Sequence, residues 1–408
     1  MLSTRTSNPS AAIARAESIT EHAWREARAR SDFAILRPHL EHLVELKRRY
    51  IDRFEVEHPY DALLDDYEPE ASTMAVREIL ERLRAALAPL VERVAARGPL
   101  DDSCLYGEFP IVRQRRLARD LLAALPLPEA GWRLDDTVHP FAEGISPRDI
   151  RLTTRYDPAY LGTSVWSVIH EAGHGLYEAG MPQALARTPA GRPRSLGLHE
   201  SQSRLWENWV GRGRPFLRAL LPLLREHFPE RFAAIDPNGL YRAANVVRRS
   251  LIRVEADELT YNLHIAIRFE LELELFEDRI AIADLPEAWN ARYADYLGLE
   301  VPDDAAGVLQ DVHWAGGSFG YFPTYSLGNV IAAQLWRRAH DEIRDLDEQL
   351  AAGELAALYG WLGRTLFPHA GKHSAAATVE RALGESIDPE PLLAHLSTKF
   401  GELYGLAT

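Results

Sequence analysis

His170, Glu171 and His174 stand in the order His-Glu-x-x-His within "VWSVIHEAGHGLYEAG", residues 165–180. On an α-helix, positions four apart lie one turn apart on the same face, so both imidazoles could reach one metal ion. Glu171 is rotated about 100° from His170, beside such an ion rather than on it. There its carboxylate could take a proton from water at the metal. The competing reading is a buried, hydrogen-bonded histidine pair. Gly173 and Gly175 favour the metal site, because each lowers helix propensity unless close backbone packing compensates. Asp157 as N-cap with Pro158 at the first helical position predicts where this helix starts, and Gly180 followed by Pro182 where it stops.

A catalytic zinc takes three protein ligands and keeps one position open. Downstream, "GLHESQSRLWENWVGR" reads as an amphipathic helix with Trp206, Trp209 and Val210 on one side. Glu200 and His199 both have the residue type of a third ligand, and spacing leaves both open.

The elements that must position these groups are mostly helical. "FAILRPHLEHLVELKRRYIDRF" and "AVREILERLRAALAPLVERVAAR" repeat apolar residues at three- and four-residue spacing. "GLYRAANVVRRSLIRVEADELTYNLHIAIRFELELELFED" predicts a helical run of about forty residues. "EAWNARYADYLGL", "DEIRDLDEQLAAGELAALYGWLGRTL" and "PLLAHLSTKFGELYGL" add helices toward the C-terminus. Just before the His-Glu-x-x-His helix, "TVHPFAEGISPRDIRLTTRYDP" carries two short β-type runs around a Gly-Ile-Ser-Pro turn, a hairpin pattern. No linker or repeat interrupts the chain. The expectation is one mainly α domain over residues 1–408 with a minor sheet, residues 1–30 forming a polar tail and first helix.

The 408 residues, 46% hydrophobic and 26% charged, suit a soluble folded chain. A net charge of −14 argues against a nucleic-acid partner, which needs clustered Lys and Arg. The densest basic run, "RQRRLARD" at 113–120, suits a solvated helix face. Cys104 is the sole cysteine, which excludes an intrachain disulfide and a thiolate zinc site. The first twenty residues hold no apolar stretch of signal-peptide length, and no window reaches a membrane span. A cytoplasmic protein without a membrane partner is the expectation.

Several further motifs occur in order: "HPF" (His139–Phe141), "DIRLT" (Asp149–Thr153), "HEAGH" (170–174), "HESQ" (199–202), "IRVEAD" (Ile252–Asp257) and "GVLQDVHW" (Gly307–Trp314), followed by "GSFGYFPTYSLGN". In these the chain resembles the carboxypeptidase Taq family of metallocarboxypeptidases, from about residue 30 onward, with the catalytic motifs within 139–330. The resemblance implies an all-α, zincin-type fold with a deep groove, similar to neurolysin-like peptidases, and a homodimer. It makes Glu200 the third ligand of one divalent metal beside His170 and His174, with Glu171 as general base. Zinc is the expected ion, and cobalt also suits N/O ligands. The longer helical N-terminal section usual in the family, with a Trp-Asp-Gln and a Met-Pro stretch, is not found.

Chemistry assigns the remaining roles. The developing oxyanion needs a donor besides the metal, and "DVHWAGGSFGYFPTY" offers His313 and Tyr325, with Tyr321 behind them. Reading a free C-terminal carboxylate suits Arg through two parallel hydrogen bonds. Arg253 is the expected reader, held by Asp257 one turn on, unless the two form only an internal helix ion pair. His139 and Asp311 are expected as supporting or substrate-backbone contacts, and Asp149 and Arg151 as braces of the hairpin. The reading is a carboxypeptidase acting on peptides. Its alternatives are an oligopeptidase cutting inside short peptides and a catalytically silent peptide-binding protein; intact Glu171 speaks against silence.

Overall fold

The computed structural model describes residues 9–128, 131–369 and 371–406; the polar start expected before Pro9 lies outside them. Helices α1 (Pro9–Arg30), α2 (Phe33–Ile51), α3 (Asp61–Leu64) and α4 (Thr73–Ala95) come first. Helix α5 (Ile111–Ala124) precedes strands β1 (Trp132–Asp136), β2 (Ala142–Ser146) and β3 (Asp149–Thr154). Then follow α6 (Gly162–Gly180), α7 (Leu196–Arg204), α8 (Arg214–His227), α9 (Pro229–Phe232), α10 (Pro237–Ala244), α11 (Tyr261–Phe276) and α12 (Leu285–Leu297). Helices α13 (Pro323–Glu342), α14 (Leu346–Ala351), α15 (Ala356–Thr365), α16 (Ala375–Leu383) and α17 (Glu390–Tyr404) end the described chain. The class is mainly helical with a minor sheet, as the periodicity predicts. Among the described residues no helix is long and apolar enough to cross a membrane.

The chain divides into two compact units. One comprises the segment ending at Arg93 together with Arg248–Pro323; the other comprises Val94–Val247 and Thr324 onward. In the first, α1 packs on α2, and Tyr60 meets Phe269 of α11 edge to face at 5.5 Å. Helix α11 is buried nearly all round, through Leu263, Ile267, Leu271 and Leu275 among others, the signature of a core helix.

In the second unit α6 holds the corresponding central place, with Val165, Trp166, Val168, Ile169, Ala172, Leu176 and Tyr177 buried. The sheet has the order β1-β3-β2. β2 and β3 pair antiparallel around the predicted turn, with a register irregularity between Gly144 and Ser146, and β1 adds a parallel strand that no local pattern announces. Gly175 brings α6 onto this sheet, since a Cβ there would sit 2.8 Å from Ile150 Cγ2. Gly173 does the same on the opposite side, where a Cβ would lie 2.7 Å from the Gln202 carbonyl oxygen and from Ser203 Cα on α7. The two glycines are therefore packing residues as well as neighbours of the histidines.

Two local expectations fail. Helix α6 begins at Gly162 rather than at Pro158. Asp157 Oδ1 caps only the Ala159 N–H, and Gly107 and Phe109 draw the carbonyls of Ala159 and Pro158 into a loop contact before the helix can start. The forty-residue helix is also broken, into α10 and α11 with a short 3-10 turn at Arg253–Glu255 between them. Asn245 folds back to donate to the Tyr241 and Arg212 carbonyls, and Asp257 accepts from Leu259 and Thr260 N–H in the turn ahead of α11. Side chains that bind backbone groups interrupt a helix within an apolar-periodic run without disturbing the pattern.

The approach at Gly173 yields a direct test. Gly173→Ala places a methyl against immovable backbone, and overpacking of this kind costs roughly 1–3 kcal/mol. The expected result is a lowered melting temperature together with weaker divalent-metal binding. Wild-type melting and wild-type metal titration would disprove the tight contact.

Candidate metal centre

Helix α6 carries His170 and His174 on one face, and α7 delivers Glu200 to them. Ser195 caps α7 by accepting the Leu198 N–H at 2.9 Å, which sets the helix phase for Glu200 one turn later. Glu200 Oε2 lies 3.4 Å from His174 Nε2 and 3.8 Å from His170 Nε2, and one donor atom from each residue falls within a 4.8 Å cluster. Tetrahedral zinc, with bonds of about 2.0–2.2 Å, holds its donors about 3.3–3.5 Å apart. The spacing and the two-imidazole, one-carboxylate set fit such an ion, with a coordination position left over. Behind Glu200, α13 presses Gly328 so close that a Cβ there would stand 2.7 Å from Glu200 Cγ.

The surrounding charges act on each donor differently. Burial opposes ionisation of Glu200, but Arg204, His170 and His174 outweigh it and hold the carboxyl well below the usual carboxylate range. Arg204 Nε binds Glu200 Oε1 at 2.7 Å, which leaves Oε2 as the oxygen facing the histidines. Burial, then the neighbouring imidazole of His199, pushes His174 down to about 3, so its ring is neutral with a lone pair available. His170 is also opposed by burial, yet Glu200, Glu207 and Glu171 raise it above its ordinary value. Glu171 is buried and pushed up to about 7 by that burial, with His170 opposing. Three carboxylates (Glu171, Glu200, Glu207) against two guanidiniums (Arg204, Arg212) favour an added cation.

Glu207 is a residue that motif reading missed. Its Oε2 accepts the His170 Nδ1–H at 2.9 Å, so the Nε2 lone pair faces Glu200. Such a carboxylate fixes both the tautomer and the ring orientation of a histidine ligand. Glu207 stands in a π-helical stretch, Leu205–Gly211, that continues α7, and Arg212 steadies it at 3.0 Å. Its position seven residues after Glu200, nearly the same helical face, was the available signal.

Other expected residues fall as follows. His199 is not in the cluster; its Nε2 faces Glu178 at 2.9 Å and its ring stacks on His174 at 4.1 Å. Of the two third ligands left open by spacing, Glu200 is the one that faces both histidines. Tyr325 lies half-buried in the first turn of α13, three residues before Gly328. His139 is exposed on the loop between β1 and β2, outside the cluster. Arg151 donates to Asp149 at 2.9 Å within β3.

Within the first unit Arg253, Asp311, His313 and Tyr321 come together. Arg253 donates through Nε and Nη2 to Asp311 Oδ1 at 3.0 and 2.8 Å, and through Nη1 to the Tyr261 hydroxyl at 3.1 Å. Asp257, expected to hold this guanidinium, instead accepts the Arg248, Leu259 and Thr260 N–H groups; the break between α10 and α11 removes the helical i,i+4 relation. Arg268 donates to the second oxygen of Asp311 at 2.7 Å. Burial opposes that ionisation, but the two guanidiniums hold the Asp311 carboxyl far below its ordinary value. His313 Nδ1 is 3.9 Å from Asp311, its ring lies 4.5 Å from Phe322 and 5.2 Å from Tyr321, and burial pushes it down to about 4, leaving it neutral.

A family model described as carboxypeptidase Taq (M32) metallopeptidase matches residues 3–400. Carboxypeptidase 1 of Bacillus subtilis is 41% identical over 386 residues, which cover 94% of this chain and 77% of that protein. Thermostable carboxypeptidase 1 of Thermus thermophilus is 41% identical over 404 residues, covering 96% and 79%. The crystal structure of an M32 carboxypeptidase from Deinococcus radiodurans superimposes with a TM-score of 0.95 at 38% identity, covering 97% of this chain and 80% of that one. The chain belongs to the carboxypeptidase Taq (M32) family and is a metal-dependent carboxypeptidase, a hydrolase of peptide bonds.

If Glu207 sets His170 for the metal, Glu207→Gln should keep the helices and weaken divalent-metal affinity by about 10–100-fold. Competition with a chelator measures this, and an unchanged dissociation constant would remove Glu207 from the role.

Proposed function

We propose that this M32 family member releases C-terminal residues from peptides with one zinc ion held by His170, His174 and Glu200, Glu171 as general base and Arg253 as reader of the terminal carboxylate. The observation that carries the proposal is the convergence of two imidazole nitrogens and one carboxylate oxygen beside a buried, proton-accepting Glu171. Zinc is supported by the donor set, a homodimer by the family pattern, and action in the cytoplasm by the single buried Cys104.

A divalent cation at this place supplies Lewis-acid activation of water and of the scissile carbonyl. Glu171 removes the proton from the attacking water and hands it to the leaving amine nitrogen. Burial serves both steps, because a carboxyl near 7 can accept a proton and give it back at neutral pH. Neutral His313 and the Tyr325 hydroxyl donate to the carbonyl oxygen as it gains charge, and Tyr321 supports the ring of His313. Arg253 is the suited carboxylate reader because two guanidiniums meet on one buried carboxylate, Asp311. Arg268 is wholly enclosed while Arg253 keeps 6% exposure, which favours Arg253 over Arg268 for this role. His139, exposed between β1 and β2, is assigned a peripheral contact to substrate.

Two tests separate the parts. Glu171→Gln should keep the metal and lose turnover by on the order of 100-fold or more in kcat. For the wild type, the raised carboxyl means that falling pH protonates the base, so kcat/KM should decline below about 7, with bound cation drawing that limb downward. Normal rates in the variant, or a wild-type rate flat to pH 4, would assign the base elsewhere.

Arg253→Lys keeps the charge but loses the planar fork. Its defect and that of a C-terminally amidated peptide should not add, because both remove one interaction. Kinetics on the four combinations measure this. Full additivity, or efficient cleavage of the amide at internal bonds, would favour an oligopeptidase.

A further inference from the structure

Within the first unit a second carboxylate is buried away from any ion pair. Glu272 on α11 is completely enclosed, whereas Glu270 and Glu274, its neighbours in "ELELEL", pair with Arg292. Its oxygens are met by three donors from two parts of the chain. Trp314 Nε1–H donates to Oε1 at 2.7 Å. The Gly320 N–H at 2.9 Å and the Tyr60 hydroxyl donate to Oε2. Among the described residues no cation bonds to it. Burying a carboxylate in this way is costly, and a well-packed apolar residue would serve a plain core better.

The donors show what the carboxylate does. Trp314 and Gly320 belong to the loop between Asp311 and Phe322, which also carries His313 and Tyr321. Gly320 adopts φ +89°, and a Cβ there would lie 2.5 Å from the Leu63 carbonyl oxygen; this glycine turn aims its N–H inward at Glu272. One helical turn earlier on α11, Arg268 grips Asp311 at the start of the same loop. Helix α11 thus fastens the loop at its beginning through Arg268 and along its length through Glu272. Between these points the loop closes on itself through the Ser318 N–H to the His313 carbonyl at 2.8 Å.

From this geometry we propose that Glu272 is a positioning residue for peptide hydrolysis, holding the 311–322 loop in the single conformation that presents His313 and Tyr321. An ionised carboxylate only accepts hydrogen bonds, which is what three convergent donors require. An amide of the same shape turns one acceptor into a donor facing Trp314, Gly320 or Tyr60, and the loop loses a fastening. The inference rests on the reading of His313 as a donor to the reacting carbonyl.

Glu272→Gln in the full-length, metal-loaded enzyme tests it, with Tyr60→Phe as the milder variant that removes one donor and keeps the carboxylate. Hydrogen–deuterium exchange should be at least 10-fold faster for the amides of Gly316–Gly320, with α6 and α7 unchanged. Turnover should fall at least 10-fold in kcat with KM within about threefold, and less in Tyr60→Phe. In a His313→Ala background Glu272→Gln should add little further loss. Unaltered loop exchange in both variants overturns the proposal, as does faster exchange spread evenly over the whole protein. If His313→Ala alone turns over normally, the role given to His313 fails, while loop exchange still decides whether Glu272 fastens the loop.

Discussion

Everything at the metal centre depends on how closely α6 can approach α7. The two histidines share a helix, so their relation is fixed by helical geometry alone, but Glu200 arrives from a second helix. Its distance from both imidazole nitrogens, 3.4 and 3.8 Å, holds only while the backbones touch at Gly173. A side chain at that point would part the helices by more than a coordination sphere tolerates. On the far side Gly328 lets α13 close on the Glu200 stem, where a Cβ would lie 2.7 Å from Glu200 Cγ. Small-residue contacts at Gly173 and Gly328 thus bring Glu200 to the two histidines of the candidate metal site.

Burying that set raises an electrostatic problem which the second unit and the first solve alike. Carboxylates removed from water must find donors or cations. Around the histidines, Arg204 and Arg212 bracket Glu200 and Glu207 along one continuous α-to-π helical stretch. In the other unit Arg253 and Arg268 meet on Asp311, with Gln310 accepting from the Arg253 N–H and from Arg268 Nη2. Carboxylates outnumber guanidiniums beside the histidines, which suits a cation, whereas at Asp311 two guanidiniums share one carboxylate.

Legibility in the sequence followed the range of the interaction. His170, Glu171 and His174 could be read because their relation is covalent and local, and the hairpin of β2 and β3 because its turn residues are adjacent. Glu200 was readable by type but not separable from His199 by spacing, since which of two neighbours faces the metal depends on the phase of α7, set by the Ser195 cap and the contact at Gly173. β1 escaped notice because its parallel partner lies beyond the intervening strand. The forty-residue helical run was misread because apolar periodicity persists through a break; the signal lay in Asn245 and Asp257, residues whose side chains compete for backbone donors and acceptors. That misreading also paired Arg253 with Asp257, when its true partner, Asp311, lies 58 residues away.

Glu171 and Glu272 show why environment alone does not identify a base. Both are buried glutamates on central helices, and burial pushes both up to about 7. Their hydrogen bonding differs. Glu272 spends its oxygens on Tyr60, Gly320 and Trp314, so taking a proton would mean releasing a donor that holds the loop. Glu171 is perturbed only by burial and by neighbouring charges, and no hydrogen bond among the described residues engages it. Its proton affinity sits near neutrality. A raised carboxyl gripped by three donors suits a fastening; one without such a grip, next to a candidate cation site, suits proton transfer.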